Sequence, residues 1–222
     1  MKFIKTPTPQ VAAVQLAETM THWLDEGKQV LWLVSGGSTA RIAQQTVQLL
    51  SNINLSRLTI MQGDERFGPV GHNNANWPEL EGLGLTNGLS KFYAILHGKD
   101  LATTVADYET TLAQQLQKAD HTIGLFGIGV DGHTAGILPY SPAATEQTKL
   151  IVGYVGPDFV RITITPPVIA RLDCAIAFAS GQPKQHALQN LVNEAGVVQE
   201  PAQILKQAKQ CFIYNDHVGE PT

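Results

Sequence analysis

Cysteine is scarce: Cys174 and Cys211 are the only two in 222 residues, each inside an apolar run, CAIAFA and CFIY. Such a pair offers neither a disulfide framework nor metal-ligand spacing and reads as two small buried hydrophobes. Long hydrophobic runs are missing as well. No apolar stretch approaches the ~18 residues of a membrane span, and the opening MKFIKTPTPQ lacks the roughly 7–15-residue apolar core of a signal peptide. Basic residues are few: 15 Lys and Arg against 19 Asp and Glu leave a formal charge of −4, which argues against a sequence-independent nucleic-acid binder. No internal repeat or low-complexity segment interrupts the chain. What is there, 43% hydrophobic and 15% charged residues, is globular composition. At about 100–200 residues per domain, the expectation is a single domain over residues 1–222, able to bury roughly 70% of its unfolded surface. It is expected to be cytoplasmic, a monomer or small homo-oligomer, with no nucleic-acid or membrane partner.

Short apolar runs recur between longer amphipathic stretches. Strands are expected at Gln29–Val34, Arg57–Gln62, Lys91–Leu96, Thr122–Gly127, Leu150–Val155, Val160–Thr165, Cys174–Ala179 and Gln210–Tyr214. Several are almost wholly apolar, as strands covered on both faces are. Helical spacing marks Pro9–Glu26, Thr39–Leu50, Leu101–Lys118, Gln185–Asn193 and Pro201–Lys209, with Gly27 placed to end the first. Asn52–Leu55 and Gly82–Ser90 read as connections. The alternation predicts an α/β fold, a three-layer α/β/α sandwich around a mostly parallel, Rossmann-like sheet. VRITIT alternates more than its neighbours and suits a local antiparallel or edge strand. Ligands of open α/β sheets bind beyond the carboxyl ends of the strands, so the loops there hold the candidates.

The first such loop is Ser35-Gly36-Gly37-Ser38-Thr39, between a strand and a helix. Its glycines, its hydroxyls and the positive helix end suit a phosphate; a tight turn with a Ser/Thr cap explains the same residues. Without a following Lys it is not a Walker loop. The second is Gly63-Asp64-Glu65-Arg66, followed by Pro69, His72, Asn73, Asn74 and Asn76. Arg66 can fork onto a phosphate or carboxylate, and Asp64 or Glu65 can orient it or move a proton. The third, Gly127 to Thr134, spells G-x-G-x-x-G over residues 127–132, but Pro139 and Pro142 interrupt the long helix that a dinucleotide site needs. Asp131 and His133 make a better reading: an imidazole as general base, with a neighbouring carboxylate fixing its tautomer. Arg161 and Lys184 add cations at strand-linked positions, and with Arg66 they form the cluster that an anionic ligand requires. The histidines at 22, 97, 121, 186 and 217 stand singly and take no role. No catalytic metal or cofactor is expected. With no G-x-S-x-G elbow and no Cys–His pair, attack by water is simpler than covalent catalysis.

SGGST, DER with P-x-x-H-x-x-x-N, GxGxDGHTA-x-x-x-P, RITIT and GxxK, in that order from about Val30 to Leu188, resemble the family of 6-phosphogluconolactonases and glucosamine-6-phosphate deaminases. DGHTA joined to DER is the specific part. The resemblance implies a Rossmann-like three-layer sandwich and a sugar-phosphate ligand. The lactonase branch carries DER and DGHTASLFP, the deaminase branch DEY and DGHIAFNEP; this chain has Arg66 and Thr134, and the deaminase glutamate falls on Leu138, which transfers no proton. Lactone hydrolysis is therefore the implied reaction, with an amino-sugar-phosphate deaminase or a non-catalytic sugar-phosphate sensor as the rivals. By resemblance the substrate is 6-phospho-D-glucono-1,5-lactone. Its phosphate would rest on Ser35–Thr39 and be held by Arg161 and Lys184. His133 would act as base, Asp131 would orient it, and Arg66 or backbone N–H groups would meet the oxyanion. Asp64 joins the candidate catalytic set, and His72, Asn76, Gly132 and Thr134 the candidate pocket. Departures at Ala40, Gly68, Asn74-Ala75 and Gly136-Ile137-Leu138 alter the pocket walls more than the reactive groups.

Overall fold

Val30, Trp32 and Val34 of the second strand face one layer, and Leu31 and Leu33 face the other. That double coverage is why the run VLWLV has no polar member. A computed structural model describes residues 1–6, 8–82, 84 and 91–221. The expected connection Gly82–Ser90 lies mostly outside them.

The elements run β1 (Lys2–Lys5), α1 (Gln10–Asp25), β2 (Val30–Val34), α2 (Ala40–Leu49), β3 (Leu58–Gln62), β4 (Asp64–Arg66), α3 (Asn76–Gly82), β5 (Phe92–Tyr93) and α4 (Leu101–Lys118). Then follow β6 (His121–Gly127), α5 (Pro142–Thr145), β7 (Ile151–Val155), β8 (Val160–Ile164), α6 (Pro166–Ile169), β9 (Cys174–Ala179), α7 (Gln185–Val192), β10 (Gln210–Asn215) and β11 (Glu220–Pro221). The main sheet has the order β11-β1-β10-β9-β6-β2-β3-β5, and every pairing in it is parallel. One core layer sets α1 and α2 against Trp32, Ile60, Ile123 and Ile176. The opposite layer sets α4, α6 and α7 against Leu33, Met61, Phe126 and Ala177. The result is the expected three-layer sandwich. Each large side chain buried in those layers contributes on the order of 1.5–3 kcal/mol.

Local chemistry explains the helix ends. α1 stops where the Gly27 and Lys28 amides turn back onto the Leu24 and Trp23 carbonyls, a Schellman closure. Asp100 caps α4 by accepting from the Thr103 amide at 3.0 Å. Cys174 and Cys211 are buried and unpaired, and burial pushes both thiols up to about 12.

Several expectations are corrected. Lys91–Leu96 shortens to the two residues of β5, and Pro201–Lys209 forms a 3-10 helix over Pro201–Gln207. β1 was not foreseen, because KFIK has only two apolar residues. The DER segment is a strand: β4 leaves the main sheet at Gly63 and pairs antiparallel with β8, which pairs with β7, making a three-stranded sheet. VRITIT thus lies at the centre of an antiparallel sheet.

The chain adds β3 and β5 on one side of β2, then crosses back to place β6, β9 and β10 on the other. Loops leaving β2 and β6 diverge at that switch point and open a crevice between them.

Candidate functional site

A cleft of about 270 Å³ opens at this switch point. It is small beside the ~300–1,000 Å³ typical of small-molecule sites. Ser35, Gly36, Gly37 and Ser38 form one wall, where the chain leaves β2 and makes a 3-10 turn at Gly37–Thr39 before α2. Thr39 is buried behind that wall. Its hydroxyl donates to the carbonyls of Ser35 (2.9 Å) and Gly36 (3.1 Å), so it braces the loop instead of capping the helix amides. The Gly37 amide donates to Glu79 Oε2 of α3 at 2.9 Å.

β4 divides its three charged residues between two sides, as strand alternation requires. Asp64 and Arg66 line the cleft; Glu65 does not. Glu65 is buried and accepts from Gln62 Nε2 (3.0 Å) and from the amides of Arg66 (2.7 Å), Asn76 (2.6 Å) and Trp77 (2.9 Å). It ties α3 to β4 and has no path to a ligand, which removes it as a proton-transfer candidate. Asp64 is 8% exposed. Its Oδ2 accepts from Asn76 Nδ2 at 3.2 Å, while Oδ1 has no hydrogen-bond partner among the described residues. Burial raises its pKa, with Ser35, Arg66, Arg161 and His133 pulling the other way. Asn76 lines the cleft beside it. His72 stands outside, its Nε2 2.9 Å from the Arg66 carbonyl.

Arg66 and Arg161 are directly opposed across the β4–β8 pair, and both lie over the Phe159 ring, at 5.3 and 5.7 Å. Like charges in opposed positions repel. Asp158 offsets this for Arg161, taking two 2.8 Å bonds from one terminal nitrogen. Arg66 donates to the Asn74 carbonyl at 2.9 Å. The Nε of each arginine has no hydrogen-bond partner among the described residues. Lys184 also lines the cleft, and partial burial lowers its pKa while the Asp131 charge opposes the shift.

His133 lines the same cleft. Its Nδ1 lies 2.6 Å from Asp131 Oδ1, and the same oxygen accepts the His133 amide at 3.2 Å. That bond pulls the Asp131 carboxyl from 3.8 down to about 2. With Nδ1–H committed to the carboxylate, Nε2 is left as the lone-pair nitrogen. The pair lies flat on Gly129, where a Cβ would come within 2.0 Å of Nδ1 and 2.4 Å of the carboxylate oxygen. Only glycine fits beneath it. Gly132 and Thr134 stay out of the lining: the Gly132 carbonyl accepts from the Ala202 amide (2.9 Å), and buried Thr134 donates to the Gly127 carbonyl (3.0 Å). The helix that follows, α5, has four residues, too short for a dinucleotide fingerprint.

Gly127, Ile128 and Gly129, from the loop singled out for Asp131 and His133, line the cleft together with Ala135, whose φ of +48° is uncommon outside glycine. Some site residues escaped the sequence reading. Asp158 and Phe159 hold the arginines; an acid three residues before Arg161, in a Gly-Pro-Asp turn, was the available signal. Among the described residues no group of three or more His, Cys, Asp or Glu is placed to hold a metal ion, and no helix is long and apolar enough to cross a membrane.

Fold and cleft together define a Rossmann-like α/β protein whose cleft gathers three cationic side chains and a carboxylate-held imidazole. The chain belongs to the family of glucosamine-6-phosphate isomerases/6-phosphogluconolactonases, whose model matches residues 7–214. A 6-phosphogluconolactonase from Synechocystis sp. is 28% identical over 223 residues, covering 94% of this chain and 91% of its own. The crystal structure of a 6-phosphogluconolactonase from Thermotoga maritima superposes with a TM-score of 0.82 at 15% identity, over 96% of this chain and 97% of that one. A monomeric glucosamine-6-phosphate deaminase superposes at 0.74 with 20% identity, over 97% of each chain. Both branches of the family share this fold.

Proposed function

We propose that this protein hydrolyses 6-phospho-D-glucono-1,5-lactone to 6-phosphogluconate. One observation carries the reading: a carboxylate-held imidazole and three cations, Arg66, Arg161 and Lys184, line a single cleft although they come from four separate segments. The cations match a phosphate, and the imidazole matches the proton traffic of a lactone. Curated relatives named 6-phosphogluconolactonase support the same choice. Buried Leu138, where the deaminase branch has its proton-transferring glutamate, disfavours the amino-sugar reaction.

The phosphate sits against the Ser35–Ser38 backbone and pairs with Arg161 and Lys184. Nε2 of His133 takes a proton from water as the water oxygen bonds to the lactone carbonyl carbon. Asp131 holds the ring in the required tautomer and stabilises the imidazolium. Arg66, which lines the cleft, faces the charge that develops on the carbonyl oxygen, a contribution of about 3–4 kcal/mol for a well-placed donor. As the tetrahedral intermediate collapses, the carbon–ring-oxygen bond breaks and His133 returns the proton to the leaving oxygen. A base in this position contributes roughly 100- to 10,000-fold.

The test is lactone disappearance, corrected for spontaneous hydrolysis, run beside an ammonia-release assay on glucosamine 6-phosphate. His133→Ala should collapse kcat with little change in KM, and Lys184→Ala should chiefly raise KM. Near-wild-type turnover of His133→Ala would end the base assignment, and ammonia release would move the protein to the sister reaction. Ligand-dependent thermal stabilisation without turnover would make it a sensor.

A further inference from the structure

Behind Lys184 lies a clamp supplied by the end of the chain. The turn that carries Lys184 begins at Gly181, with φ 92° and ψ 150°, and closes with the Lys184 amide on the Gly181 carbonyl at 2.9 Å. That backbone conformation is essentially restricted to glycine, whose freedom leaves the turn to be fixed by its hydrogen bonds. Two consecutive residues after β10 supply them. Asp216 Oδ2 accepts the Gly181 amide at 2.9 Å, and His217 Nε2 reaches the Gly181 carbonyl at 3.0 Å. Asp216 Oδ1 lies 3.2 Å from the same imidazole nitrogen, too poorly aligned for a hydrogen bond. The clamp is itself held: fully buried Asn215 accepts the amides of His217 (2.9 Å) and Val218 (2.7 Å). Asn215 pairs in register with Ala179, so the turns leaving β9 and β10 start side by side.

Neither Asp216 nor His217 lines the cleft. They act on Lys184, whose flexible four-carbon stem places its charge only as well as the backbone beneath is fixed. We propose that Asp216 and His217 are positioning residues that set the Lys184 ammonium for the substrate phosphate. This rests on the phosphate reading given above.

His217→Ala and Asp216→Ala each remove one hydrogen bond from Gly181. KM for the phosphorylated lactone should rise about 3- to 10-fold, the range one such bond covers. The dissociation constant of 6-phosphogluconate should rise by the same factor, with kcat within about twofold of wild type. His217→Gln, whose amide nitrogen can stand in for Nε2, should restore KM, and Asp216→Asn, which keeps an acceptor, should do the same. In a Lys184→Ala background neither alanine variant should add anything, and turnover of unphosphorylated gluconolactone should not respond. A clamp that merely stabilises the fold would lower the melting temperature and leave KM in place. Unchanged KM in both alanine variants, or an equal rise without Lys184, overturns the proposal while wild-type hydrolysis keeps the parent reading. A wild-type protein that neither hydrolyses the lactone nor binds 6-phosphogluconate overturns both.

Discussion

Gly129→Ala isolates the imidazole–carboxylate pair from everything else in the cleft. The added Cβ would stand 2.0 Å from His133 Nδ1, 2.3 Å from Cε1 and 2.4 Å from Asp131 Oδ1. Non-bonded contacts settle near 3.5–4.0 Å, so both side chains must retreat by more than about 1 Å. They have room to do so, since their side chains are 39% and 52% exposed and can swing into solvent. The fold should therefore survive, with a loss below about 1 kcal/mol, or roughly 2–4 °C in Tm for a chain of this size. Catalysis should not survive as well: a misplacement of about 1 Å costs on the order of 100-fold. Lactone hydrolysis by Gly129→Ala, corrected for the spontaneous rate, should show kcat reduced about 100-fold, with KM little changed because Arg161 and Lys184 are untouched. A kcat within about threefold of wild type would refute the placement of this pair at the reacting centre. So would a loss of activity accounted for entirely by unfolding.

Two further substitutions probe charge. The Asp131 carboxyl is drawn down to about 2 in the folded protein, first by its bond to His133, so its stabilisation is present above about pH 4 and is lost as pH falls toward about 2. At 52% side-chain exposure, screening holds that contribution under about 1 kcal/mol. Denaturation of Asp131→Asn between about pH 5 and pH 2 should show a shallower pH slope than wild type, and identical slopes would contradict the pairing. Asp64 behaves in the opposite sense: burial raises its pKa, so the native protein holds the proton more tightly and gains stability as pH falls through the raised value. Asp64→Asn should melt higher than wild type at pH 7, with the gap closing on acidification, while activity falls. A lower melting temperature at pH 7 would show that Arg66 and Arg161 outweigh the desolvation of that carboxylate.

The parts of the fold legible in the sequence were those written locally. VLWLV, LTIMQ and CAIAFA announce strands covered on both faces because both faces of those strands are in fact buried. The loops after β2 and β6 announced the candidate site because glycine, hydroxyl and imidazole residues cluster there within a few positions. DER hid its nature for the same reason: three charged residues carry no strand signal, and β4 exists only because β8, nearly a hundred residues later, supplies its hydrogen bonds. Glu65 looked like Asp64 until strand alternation sent it to the far side, where the amides of Asn76 and Trp77 take it up. Asp158 stands three residues from the arginine it holds, a local sign, whereas Phe159, Asp216 and His217 gave none.

The sequence by itself determined the three layers, the parallel sheet and the loops at the strand ends, because periodicity and backbone preference are short-range properties that each segment carries alone. Only the tertiary structure decided which charges meet. Strand order and register bring Arg66 opposite Arg161 and set Lys184 and His133 in one cleft, and a partnership between distant residues is a property of packing that no single segment contains.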